Sequence, residues 1–249
     1  MAGHSKWANI KRRKGAQDVV RGKLFTKLIR EITVAARMGG GDLDANARLR
    51  LAVDKAKSQS MPKDNIARAI AKGTGNIDTD SWEELTMEGY GPGGVAVLLE
   101  ILTDNRNRTT GEVRHAFTKC NGNLGTTGCV GYMFHRKGVI ILDDEGADED
   151  ELMLAALDLG AEDLLHEEGV WEVLGPVDTF EALRDGLTEL GFVIQSAELT
   201  FVPDNNTAIE AKDAEQLLRL VDILDDCDDV QNVHHNADIS AEELDRIVG

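Results

Sequence analysis

Three patterns in the sequence predict an α+β protein: an N-terminal three-helix domain followed by two α/β domains, one inserted into the other. Apolar residues recur at helical spacing from Leu24 to Ile70. After a polar Gly/Asp-rich stretch, apolar runs of strand length alternate with amphipathic helices. From residue 94 onward the order of these elements nests one complete βαββαβ series inside another.

Residues 1–20 have no helical period and read as a flexible basic arm. The helical domain spans 21–78. Between Arg21 and Met38, the residues Leu24, Phe25, Leu28, Ile29, Ile32 and Ala36 line one side of a helix that Gly39, Gly40 and Gly41 end. A second helix, about 44–57, gathers Ala45, Leu49, Ala52, Val53 and Ala56. SQSMP breaks it, and Pro62 suits the first turn of a third helix, which turns Ile66, Ala69 and Ile70 inward and stops near Gly73. GTGNIDTDSW reads as a linker.

The discontinuous α/β domain, 79–136 plus 204–249, is expected to hold strands at 94–103, 131–135, 207–211 and VQNVHH. Its helices are expected at 106–120, from Asp213, and from Ser240 at the end. The inserted domain, 137–203, carries strands GVIILD, DLLHE, VWEVL and FVIQSAELTFV and helices led by Asp148 and Asp178. Each domain reads βαββαβ, the ferredoxin-like order. Short right-handed connections favour two such domains over one large sheet.

Charge is segregated along the chain. The net formal charge is −18, yet residues 1–37 hold ten basic and two acidic side chains. Residues 1–80 carry +9 and the remainder −27. That asymmetry describes a basic front for a polyanion, attached to a body that repels polyanions. In the arm, Lys6, Lys11, Arg12, Arg13 and Lys14 surround Trp7. The cations suit phosphates, and the indole either stacks on a base or packs on the helical domain. Arg21, Lys23, Lys27 and Arg30 continue the basic stripe along the first helix. Helices two and three have the spacing of a helix-turn-helix, with Lys63, Arg68 and Lys72 facing out.

EGYGPGG (88–94) fails as a dinucleotide loop, because its glycines precede a strand instead of following one. Tight backbone geometry is the better reading. TDNRNRT (103–109) lies where a strand ends and a helix begins. Arg106 and Arg108 there bring positive charge to a helix N-terminus, where free N–H groups favour anions, while Asn105 or Asn107 equally suits an N-cap. This patch extends towards Arg114, Arg136 and Lys137.

No catalytic constellation, cofactor motif or metal-ligand spacing is evident. Cys120, Cys129 and Cys227 lack CxxC spacing and read as reduced thiols. His234 and His235 are neighbours that a strand would turn to opposite faces. No apolar run is long enough to span a bilayer, and the opening stretch lacks the apolar segment of a secretory signal. The expectation is a cytoplasmic protein without enzymatic activity.

GHSKWANIKRRK, MPKDNIARAI, EGYGPGGVA, TDNRNRT and VQNVHHNADI together resemble the YebC/PmpR family, in order and over essentially the whole chain. The resemblance implies an N-terminal helical domain, two α/β domains and a role in gene expression. Family members are commonly described as DNA-binding transcriptional regulators. Mitochondrial relatives are translational activators of cytochrome c oxidase, and bacterial relatives have been assigned a role in easing ribosome stalls at proline-rich stretches. The expected partner is therefore DNA, or ribosomal RNA on the ribosome. A third reading makes the acidic α/β domains a scaffold for basic proteins.

Overall fold

The computed structural model describes residues 18–75, 82–144, 148–167 and 169–248. The protein is a mixture of three N-terminal helices and two four-stranded antiparallel sheets.

Helices α1 (Asp18–Gly39), α2 (Ala47–Ser58) and α3 (Lys63–Thr74) form the bundle. Its core is aliphatic and close-packed: Leu28, Ile32 and Ala35 of α1 meet Leu49, Val53 and Ala56 of α2 and Ile66 and Ala69 of α3. Small residues let the helices approach. A Cβ on Gly73 would lie 2.3 Å from the Thr33 carbonyl oxygen, so α1 and α3 cross in contact there. Asn46 locks the α1–α2 corner. Its Oδ1 caps α2 by accepting from Leu49 N, and its Nδ2 donates to the carbonyls of Ala35 and Gly40, which end α1. Helix α1 begins at Asp18, so residues 18–20, expected in the arm, are helical. Residues 1–17 lie outside the described residues.

The first sheet has the order β3-β1-β2-β9. It contains β1 (Glu83–Tyr90), β2 (Ala96–Thr103), β3 (Asn123–Leu124) and β9 (Val230–His235). Helices α4 (Arg106–Lys119), α7 (Ala211–Asp225) and α8 (Ala241–Val248) cover one face, with Val97, Leu99 and Ile101 against Phe117, Leu217 and Val221. On the other face Ala96 and Leu98 pack on Val130 and Phe134, with Phe201 at the margin. Strand β2 is buried on both faces, which is why it reads as an apolar run interrupted within its length only by Glu100.

Between these segments lies the inserted unit. It consists of β4 (Phe134–Asp143), α5 (Glu149–Asp158), β5 (Asp163–Glu167), β6 (Val170–Gly175), α6 (Phe180–Glu189) and β7 (Ile194–Pro203). Its order β5-β6-β4-β7, antiparallel throughout, is the ferredoxin-like arrangement. The chain enters at Phe134 and leaves at Pro203, which are register partners, so the insertion needs no long connection.

The first sheet reaches the same spatial order by a different chain path. Strand β1 occupies the position expected for residues 207–211, and it pairs with β2 from end to end as a hairpin. The 207–211 segment contributes only the two-residue β8 (Thr207–Ala208), bridged in parallel to β10 (Ala237–Asp238). Residues 131–133 form a 3₁₀ turn rather than part of a separate strand, and Phe134 and His135 open β4. Helix α6 starts after Thr179 without a side-chain cap, so the expected Asp178 capping box does not form.

Candidate nucleic-acid interface

The basic stripe of α1 faces the body of the protein. Lys23 Nζ lies 2.9 Å from Asp226 Oδ1. Lys27 is buried and donates to the Asp225 carbonyl at 2.7 Å. Arg30 donates from Nη1 to the Asp228 carbonyl at 2.6 Å and to Asp229 Oδ1 at 2.9 Å, and its guanidinium lies 5.0 Å from the centre of the Trp82 ring. All three therefore dock on the acidic turn between α7 and β9. A stripe expected to be open to phosphate is neutralised by carboxylates almost 200 residues further along the chain. Arg21 lies within α1.

Asp229 is the centre of this junction. Its side chain is 4% exposed. Oδ2 accepts from Thr103 Oγ1 at 3.1 Å, Thr109 Oγ1 at 2.7 Å and Arg108 Nη2 at 2.7 Å, while Oδ1 takes Arg30. Burial pushes the carboxyl up, but the hydrogen bonds from Arg108, Thr109 and Thr103 outweigh it, and its pKa falls below the usual value. TDNRNRT is thus a structural knot joining the end of β2, the start of α4, the α7–β9 turn and α1. Asn105 is the N-cap of α4, its Oδ1 accepting from Arg108 N.

Arg108 also bonds Asp104 at 2.6 Å, and Arg106 pairs with Glu83 at 3.0 Å. Both cations expected to draw an anion to this helix end already have carboxylate partners. Cross-ties from α2 complete the docking: Arg48 to Glu31 and Glu84, Arg50 to Glu181 and Lys55 to Glu198. The last two reach the inserted unit.

Helix α3 differs. Lys63, Arg68 and Lys72 are exposed and form no ion pair with another described residue. Arg68 is held along its helix by the Asp64 carbonyl and Asn65 Oδ1. The α2–α3 connection is short, residues 59–62, as expected from SQSMP. The arm residues Lys6, Trp7, Lys11, Arg12, Arg13 and Lys14 lie outside the described residues.

EGYGPGG proves to be a backbone device. Glu88 is buried in β1, and its carboxylate accepts the N–H groups of Gly128, Val130 and Gly131 at 2.6–2.8 Å. Burial pushes this carboxyl up, and those three N–H groups bring it below its usual pKa. Gly93, at φ +69°, completes the turn into β2, where a Cβ would lie 2.7 Å from Ile209 Cγ2. His234 is buried, with Nε2 3.0 Å from Glu100 Oε2. Among the described residues, no group of three or more His, Cys, Asp and Glu is placed to hold a metal ion. No described helix is long and apolar enough to cross a membrane.

Two family models match the chain. One, described as the TACO1/YebC protein N-terminal domain, covers residues 5–76, and the other, the TACO1/YebC second and third domain, covers 82–237. A protein of Syntrophotalea carbinolica named "Probable transcriptional regulatory protein" is 60% identical over 249 residues, with both chains covered in full. One of the same name from Trichlorobacter lovleyi is 56% identical over 248 residues, again with full coverage. The crystal structure of a conserved hypothetical protein from Aquifex aeolicus superposes with a TM-score of 0.80 at 45% identity, covering 90% of this chain and 92% of that one.

Proposed function

Because the chain belongs to the TACO1/YebC family, we propose that it is a non-enzymatic, nucleic-acid-binding regulator of gene expression that acts in the cytoplasm. The observation that carries this reading is the sorting of its positive charge. The cations of α1 and α2 that meet the α/β units are neutralised there. We assign to a polyanion the basic residues of the arm, by their sequence, and Lys63, Arg68 and Lys72 of α3, which are exposed. Contact is through phosphate, with Trp7 adding base stacking.

Relatives named as transcriptional regulators support DNA as the target. Structured ribosomal RNA is the second reading. It is favoured by Trp7 within the arm, since single-stranded and looped RNA offers splayed bases to an aromatic ring.

Replacing Lys11, Arg12, Arg13 and Lys14 with Ala tests the shared premise. Affinity is expected to fall on every sequence, and the dependence of log K on log salt to flatten by up to about one unit per lost phosphate contact. An unchanged affinity and slope would remove the arm from the mechanism. Crosslinking in cells, with both DNA and RNA sequenced, separates the targets. Discrete promoter fragments support transcription control, and one ribosomal RNA site supports translation control.

A further inference from the structure

The outward side of α5 carries a ridge of large apolar side chains that no described residue covers. The helix turns Leu152 and Ala156 into the core at 0% and 1% exposure. Met153, Leu154 and Leu157 point the other way, at 41%, 66% and 57% exposure. Spacings of three and four residues make them neighbours on one helix surface. Solvated helix faces are normally polar, and adjacent exposed apolar side chains within a polar rim mark interaction surfaces.

The rim here has one sign. Asp148, Glu149, Asp150 and Glu151 stand at the start of α5 and Asp158 at its end. Residues 137–203 hold 18 acidic side chains and two basic ones. Both basic side chains are engaged, Lys137 with Glu162 and Arg184 with Asp185. No cation of the inserted unit is left to offset the rim. Whatever covers the ridge must supply both apolar contact and positive charge.

That requirement selects the occupant. A second copy of this unit brings the same negative charge and is repelled, as is a nucleic acid or an anionic membrane surface. A small cation neutralises the rim and leaves the ridge wet. We propose that α5 docks a Lys/Arg-rich protein segment presenting apolar side chains at helical spacing. The apolar contacts supply the affinity, and the acidic rim selects basic partners and speeds their encounter. The site lies on a different unit from the basic bundle, so the protein bridges a nucleic acid and a basic protein.

The test uses the full chain and a fluorescein-labelled synthetic Lys/Leu peptide with leucines at helical spacing, compared with a scrambled peptide of equal composition. Fluorescence anisotropy is expected to show the patterned peptide binding roughly tenfold or more tightly than the scrambled one. Leu154→Ser with Leu157→Ser should erase that difference. Leu190→Ser, at another exposed apolar position of the unit, should leave it intact. Asp150→Asn with Asp158→Asn should weaken both peptides and reduce their salt dependence. Equal binding of the two peptides, or a preference that survives the double serine variant, would overturn the proposal, because the acidic body would then attract cations without using the ridge. Self-association lost on the same double variant, seen by sedimentation, would also overturn it in favour of a second copy.

Discussion

Two helices of one bundle carry cations at helical spacing and use them in opposite ways. In α1, Lys23, Lys27 and Arg30 dock on the Asp225–Asp229 turn. In α3, Lys63, Arg68 and Lys72 stand in solvent. A basic stripe announces an acidic partner without saying which one. The chain's own carboxylates have the advantage of covalent linkage, which raises their effective concentration over that of any ligand. Under the proposed function, external binding falls to the exposed cations of α3, so the bundle is a clamp through α1 and, by that proposal, a contact surface through α3.

The largest expected effect comes from breaking the clamp at its centre. Asp229→Ala removes a buried carboxylate and takes one hydrogen-bond partner from each of two hydroxyls and two guanidinium groups. It should cost about 3–5 kcal/mol, read by urea denaturation. Asp229→Asn should cost less and isolate the pH dependence. The folded-state pKa of Asp229 lies below the ordinary value, so its contribution is present above the unfolded-state pKa of about 4 and is lost as pH falls through the folded value. Wild-type stability should decline below about pH 4, and the Asn variant should decline less steeply. A variant as acid-sensitive as wild type would mean that Asp229 does not hold the junction.

A smaller effect is expected at the edge of the clamp. Arg30→Gln keeps a polar side chain but is too short to reach Asp229 as the guanidinium does and loses its charge. Stability should fall by roughly 1–3 kcal/mol. The salt slope of nucleic-acid binding should not change, because Arg30 faces aspartates and not phosphate. A flatter slope with unaltered stability would reverse the assignment and return α1 to the contact surface.

Much of the fold was legible because local pattern and tertiary burial agree. The period of α1 places Leu28, Ile32 and Ala36 inward, where they are buried. The inserted unit's strands, from GVIILD to FVIQSAELTFV, each coincide largely with an observed strand. Strand β1 was missed because WEELTMEGY is rich in Glu and Gly, which are poor strand formers. It is held as a strand by eight residues of pairing with β2 and by the work of Glu88 on the loop that follows β3. The same Glu88 accepts from Gly131 N where a 3₁₀ turn begins, so 131–133 are not strand, while Phe134 and His135 open β4. The individual cations were legible too. Their partners were not: DDCDD reads as ordinary solvated acid, and nothing nearby in sequence distinguishes buried Asp229 from exposed Asp226.

The smallest effect on stability should come from α3, and it is the sharpest test of the contrast. Lys63, Arg68 and Lys72 are exposed and form no ion pair with another described residue, so replacing all three with Ala should change stability by no more than about 0.5 kcal/mol per site. Alanine also suits a helix interior, which offsets part of any loss. The effect on binding should be disproportionate. If each cation neutralises one phosphate, the salt slope should fall by up to about three units. Combined with the arm substitutions, the two losses should add if the groups engage separate phosphates, as the proposed function has it. A triple variant that unfolds early would place α3 in the clamp with α1. One that is stable and binds as wild type would confine nucleic-acid contact to the arm and leave the helix-turn-helix spacing of α2 and α3 a feature of bundle packing alone.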